Sequence, residues 1–340
     1  MVDGISKKLS YAAVAGASLY YGISKYVEGS KVRVVSGKSD EGDTVQKLLS
    51  QCPSLVSETA ALVPTPYLYS GMLQTVYGTT IALRKDRMSD IKYERESKTM
   101  SDGGTVALDW YPKPLDDAER PIAVVIPGLG GSAYEYHVRC VAKRLEARGM
   151  QVVVCNHRGS GRTALTSPRL YNAYDTSDLT DVLADIHTRY PKAPIVCVGF
   201  SLGANLLTRY LGDHGDAAHL SAAVAVSCPF DTEVAGRALS APGLLNDWLF
   251  QPNLMATVKR LVTRNLDVIK SSPLNYDIDA VMKATRMSEI DDLVTARTYG
   301  HKDCWAYYRA ASSVEYVEKI RKPFLAINAE DDPVTPVEGV

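Results

Sequence analysis

Gly199-Phe200-Ser201-Leu202-Gly203 reads G-x-S-x-G, with an apolar run (195–198) before it and helical spacing from Ala204 after it. A serine on a sharp turn between a strand and a helix has its Oγ pushed out past the end of the sheet. The flanking glycines let neighbouring backbone come close, and the start of the helix offers N–H groups to an anion. Ser201 is therefore the candidate nucleophile. Attack on an acyl carbonyl would leave negative charge on its oxygen, which calls for two preorganised N–H donors. One comes from the residue after the nucleophile, here Leu202, and the other from the loop after an early strand. Pro127-Gly128-Leu129-Gly130-Gly131 follows the apolar run 122–126, and Leu129 is the residue selected there.

A serine hydroxyl is a poor nucleophile at neutral pH without a base, and the base needs an acid to hold its tautomer. In the chain order serine, acid, histidine, the acid belongs in Asn328-Ala329-Glu330-Asp331-Asp332-Pro333, after the apolar run 324–328. Asp332 is favoured because it opens the turn Asp332-Pro333-Val334-Thr335-Pro336, and Asp331 is the second choice. No histidine follows Asp332 before Val340. His301 precedes the acid, and His157 follows an early strand, so both are out of order. Two readings stay open: a fragment truncated before its catalytic histidine, or an inactive protein that keeps the fold. The break in mid-pattern favours the fragment.

The elements that would position these residues alternate. Strands are expected at 106–110, 122–126, 152–155, 195–199, 222–227 and 324–328. Helices are expected at 134–148, closed by Gly149, at 177–190, with Ser177 as N-cap, and at 204–211, closed by Gly212. Nearly all-apolar strands alternating with helices predict an α/β fold with a mostly parallel central sheet and helices on both faces. Residues 229–320 break the rhythm with helical stretches and no strand, as a cap over one end of the sheet would. The hydrolase domain is read as 91–340. Residues 29–90 read as an N-terminal helical extension, with helical pieces at 44–49 and 69–77.

Residues 1–28 read as an N-terminal membrane anchor. Leu9 to Ser24 carries no charge, lysines flank it, and Tyr11, Tyr20, Tyr21 and Tyr26 suit a headgroup level. The run is short of the roughly 18 residues a span wants, so a surface helix and a cleaved signal peptide compete with the anchor. The expected location is an intracellular membrane, or otherwise the cytoplasm. With a net charge of −1 no basic field is present to hold nucleic acid. Six cysteines without a C-x-x-C pair argue against a disulfide scaffold. Six histidines without ligand spacing suggest no metal, and no cofactor is called for.

The stretch 101–212 resembles one branch of the α/β hydrolases, the AB hydrolase 4 family. That family includes abhydrolase-domain proteins of types 1 and 3, YheT-like proteins and yeast medium-chain ethyl-ester synthase/esterases. The motifs that carry the resemblance are Pro127 to Ser132, Asn156-His157-Arg158-Gly159, Leu165-Thr166-Ser167-Pro168-Arg169-Leu170-Tyr171, and the elbow running into Asn205-Leu206-Leu207. It implies an α/β-hydrolase fold, Ser201 as nucleophile, Asp332 as acid, and a histidine some tens of residues past Val340. Pro127 stands where many members have histidine. Asn156 and Arg158 are read as bracing loops around the site. The implied function is a serine ester hydrolase, of carboxylesterase, lipase or phospholipase type. It would act on medium-chain acyl or lipid esters through an acyl-enzyme, with alcohol O-acyl transfer sharing the same residues. The expected partners are a small-molecule or lipid ester and a membrane surface. The rival is a membrane-attached, catalytically inactive binding or scaffold protein.

Overall fold

The computed structural model describes residues 91–112 and 117–340. Before them it describes 16–17, 19–22, 24, 32–35, 47, 49–52, 68 and 70–80. Contacts divide the chain into two units, Met1–Ile81 and Ala82–Val340. In the first, helix α1 (Gly71–Thr80) starts beside Ser70, whose Oγ accepts from the Leu73 N–H. The expected helix at 69–77 is therefore real but sits further along the chain. Most of the anchor expected at 1–28, and of the helical piece at 44–49, lies outside the described residues. Among the described residues no helix is long and apolar enough to cross a membrane.

The second unit is built on seven strands: β1 (Glu94–Thr99), β2 (Thr105–Tyr111), β3 (Ile122–Ile126), β4 (Gln151–Asn156), β5 (Ile195–Phe200), β6 (Ala222–Val226) and β7 (Phe324–Ile327). They lie in the order β1-β2-β4-β3-β5-β6-β7. From β4 to β7 the pairing is parallel, while β1 and β2 are antiparallel additions at one edge. The expected α/β fold is thus borne out. Every residue of β3 and β4 is buried, as a parallel strand covered on both faces must be.

Helix α2 (Tyr136–Glu146) covers one face and α3 (Ser177–Arg189) and α4 (Leu202–His214) the other. Leu183, Ile186, Leu207 and Leu211 are buried against Val124, Val153 and Ile195, while Val138 and Ala142 pack on Val125 and Val154. Truncating one such leucine to alanine costs roughly 2–5 kcal/mol.

Three local expectations are corrected. Strand β1 reads Glu-Arg-Glu-Ser-Lys-Thr and shows no apolar signal. It is an edge strand, where charge is tolerated and discourages further pairing, and Arg95 and Glu96 bond to Asp109 and Trp110 of β2. Gly212 does not end α4, which runs on to His214 and stops at Gly215 with φ +50°. A Cβ on Gly212 would lie 2.6 Å from the Tyr316 Cβ, so that glycine serves a close helix–chain approach. Ser177 is the first residue of α3 and not its cap, and its N–H is accepted by Asp175.

Between β6 and β7 the chain is helical: α5 (Thr232–Ser240), a π turn (Asn246–Phe250), α6 (Gln251–Arg264), α7 (Leu266–Lys270), α8 (Ile278–Lys283), α9 (Met287–Ile290), a second π turn (Asp291–Thr295), α10 (Ala296–Thr298), α11 (Cys304–Ala311) and α12 (Val314–Val317). Met255, Val258, Val262, Ile269, Val281 and Ile290 give this cap its own core, into which Leu165 reaches.

Candidate active site

Ser201 sits between β5 and α4 with φ +50° and ψ −115°, outside the regions an ordinary L-residue prefers. The turn can be this tight because of its glycines. A Cβ on Gly199 would meet the Gly203 carbonyl oxygen at 2.6 Å, and one on Gly203 would meet that of Ile126 at 2.5 Å. The Val226 carbonyl of β6 accepts the Ser201 N–H at 2.9 Å. The serine is thus held by its backbone at the carboxyl edge of the sheet, and its side chain is only half-buried.

The loop after β3 lies against it. A Cβ on Gly128 would stand 3.2 Å from the Ser201 Cβ and 3.8 Å from its Oγ. Within that loop Gly130 N–H goes to Tyr171 Oη, Gly131 N–H to the Gly128 carbonyl and Ala133 N–H to Asn156 Oδ1. The Leu129 N–H has no acceptor among the described residues. Leu202 is the first residue of α4, so its N–H has no intrahelical acceptor. Leu202 thus follows the serine directly, and Leu129 follows Gly128, the residue that lies against it.

Asp332 lies in the loop after β7, two strands from β5 in the sheet. Its Oδ1 accepts from the Val334 and Thr335 N–H groups at 2.8 and 3.1 Å. Asn328 ties this loop to the end of β6, donating to the Cys228 carbonyl and accepting from its N–H. The neighbouring Asp331 is exposed. No histidine among the described residues hydrogen-bonds to Ser201 or Asp332. His157 Nε2 is bonded to the Pro127 carbonyl, and His301 packs beside Tyr174 and Tyr307.

The buried polar residues of the marker motifs surround the loop after β3. Arg158, only 1% exposed, donates twice to Asp178 and twice to Asp102 at 2.6–2.8 Å, and also to Ser167. The Arg158 guanidinium holds the Asp102 carboxyl down at about 2. Asn156 donates to Asp109 and the Ala107 carbonyl. The cap closes over these loops: Cβ atoms on Gly130 and Gly159 would strike Thr257 and Leu261 of α6. Spacing does not mark Tyr171 as a site residue, since its contact with Gly130 spans 41 positions; its place in the Leu165–Tyr171 motif block is the one signal for it.

A parallel sheet flanked by helices, with a strained serine at the end of its central strand and a glycine-rich loop beside it, defines an α/β hydrolase. Residues 121–340 match the family model described as alpha/beta hydrolase fold, and the chain belongs to that family. It is 29% identical to human phospholipase ABHD3 over 99% of this chain and 79% of that protein. It is 30% identical to medium-chain fatty acid ethyl ester synthase/esterase 2 of Saccharomyces cerevisiae, over 79% of this chain and 74% of that one. The yeast monoacylglycerol lipase is 30% identical over 66% of this chain, which spans half of that protein's length.

Proposed function

We propose that this chain is a serine ester hydrolase acting on medium-chain acyl or lipid esters. The observation that carries the reading is the Ser201 hydroxyl on a strained turn against Gly128, the residue before Leu129, whose amide has no acceptor among the described residues. The relatives' names, a phospholipase, an ester synthase/esterase and a monoacylglycerol lipase, support ester substrates with acyl chains.

In the proposed reaction Ser201 Oγ bonds to the acyl carbon while a general base takes its proton. Asp332 serves as the acid that orients that base, the histidine that the order serine, acid, histidine calls for after it. The carbonyl oxygen becomes an oxyanion held by the Leu129 and Leu202 amides. The bond to the alcohol oxygen then breaks, and the alcohol leaves with the base's proton. Water, or a second alcohol, gives up a proton to the base and takes the acyl group, restoring the serine. Treating the full-length protein with a fluorophosphonate probe tests this. Labelling of the wild type and none of Ser201→Ala is expected; equal labelling of both contradicts it.

A membrane surface belongs to the same proposal, with the N-terminal segment as anchor. Support comes from the cap, where Leu244 is 82% and Trp248 80% exposed at four-residue spacing. Exposed leucine and tryptophan on one helical face suit a lipid headgroup layer.

A further inference from the structure

We infer that His157 and Tyr171 act together as positioning residues that fix the Leu129 amide, an inference that rests on the hydrolase reading above. Three consecutive peptide units decide where that amide points. The Pro127–Gly128 unit is tied through its carbonyl, which accepts from His157 Nε2 at 2.8 Å. A carbonyl only accepts, so Nε2 carries the proton and the ring presents a bare Nδ1. The Leu129–Gly130 unit is tied through its N–H, which Tyr171 Oη accepts at 2.9 Å. The unit between them carries the Leu129 N–H, and its Gly128 carbonyl accepts from Gly131 at 3.0 Å. In a trans peptide the N–H and the carbonyl point in opposite directions, so bonding the carbonyl inside the turn aims the Leu129 N–H away from it.

The two anchors are also one unit. The His157 and Tyr171 rings stack with centroids 5.0 Å apart and planes 18° from parallel. Neither ring is free to turn. His157 is buried, and that burial lowers its pKa and keeps it neutral. Burial likewise pushes the Tyr171 hydroxyl up to about 12, so it remains protonated. Gly130 has φ +71°, and Thr257 of the cap occupies the space a side chain there would need. The Asn156-His157-Arg158-Gly159 block and Tyr171 of the following block thus meet at one backbone segment. Asn156 and Arg158 hold the strand end and loop from which His157 and Tyr171 reach it.

Two variants of the full-length protein test this. Tyr171→Phe keeps the ring stack and removes the acceptor of the Gly130 N–H; His157→Phe keeps a ring and removes the donor to Pro127. Each is expected to lower kcat on a soluble medium-chain ester at least tenfold, with KM within about twofold, because an oxyanion donor acts only as charge develops. Affinity for a boronic-acid transition-state analogue should fall by the same factor as kcat/KM. The double variant should lose little more than the worse single one, and His157→Gln, which restores a donor, should recover part of the rate. Amide hydrogen exchange at Gly130 should quicken in Tyr171→Phe by about tenfold. Unchanged kcat and analogue affinity in both phenylalanine variants, or a rise in KM alone, would overturn the inference. A wild type that hydrolyses no ester and takes no fluorophosphonate refutes the hydrolase reading instead. The exchange rates then decide the positioning role alone: faster exchange supports it and unchanged exchange overturns it.

Discussion

The two sides of Ser201 are held by different means. Toward β3, β4 and β2, the edge loops are fastened by the buried Asn156, His157 and Arg158 and the half-buried Tyr171, which bond to loop backbone and to Asp102, Asp109 and Asp178, while the His157 and Tyr171 rings stack. Toward β6 and β7, the loop carrying Asp332 is held by Asn328 on Cys228 and by the turn that Asp332 caps. Backbone donors to an oxyanion cannot adjust by a rotamer, so their segment has to be rigid. A carboxylate that acts through another side chain has its own torsions with which to meet it.

The sharpest break in the comparison is Asp332→Asn. On the lightly held side, stability should change by less than about 1 kcal/mol in urea unfolding, while kcat falls by about 10³–10⁴-fold. A fall in stability with unchanged turnover would make Asp332 a turn residue only. The opposite pattern is expected on the tightly held side. Arg158→Met strips a buried cation from Asp102 and Asp178 and should cost about 3–5 kcal/mol of unfolding free energy.

Asp102 and Asp291 sharpen the point that burial acts through its partners. Asp102, beside Arg158, is held at about 2, below its ordinary value. Its contribution to stability is present above pH 4 and is lost as the pH falls toward 2. Asp291 is raised to about 6 by burial, although Tyr308 Oη donates to it at 2.7 Å. A carboxyl raised on folding costs stability once ionised, so the cost grows from about pH 4 to pH 6 and stays constant above. Asp291→Asn should therefore raise the unfolding free energy at pH 7 by about 1–3 kcal/mol, and by almost nothing at pH 4. Equal gains at both values would contradict this. The smallest effect is expected on the cap, where Trp248→Ala should weaken binding to lipid vesicles by about tenfold and leave turnover of a soluble ester unchanged.

What could be read in the sequence was what is local and apolar. Runs such as 122–126 and 152–155 declared buried parallel strands, and the paired glycines around Ser201 declared a tight turn. Strand β1 stayed hidden because an edge strand facing solvent carries no apolar alternation. Gly212 looks like a helix end in the sequence because close approach to Tyr316 and helix termination use the same residue type. The contacts of His157 with Pro127 and of Tyr171 with Gly130 span 30 and 41 positions, and no spacing rule reaches that far. Leu129 could be selected as a donor from its place after β3, but that its amide has no acceptor among the described residues while those of Gly130, Gly131 and Ala133 are bonded is visible only in the folded chain.

Mass spectrometry of the full-length protein after fluorophosphonate treatment tests the central claim most directly. The account predicts one phosphonylated peptide carrying the adduct on Ser201, absent after prior incubation with a medium-chain boronic acid. An unmodified Ser201 in folded protein, or an adduct only on some other residue, would contradict it.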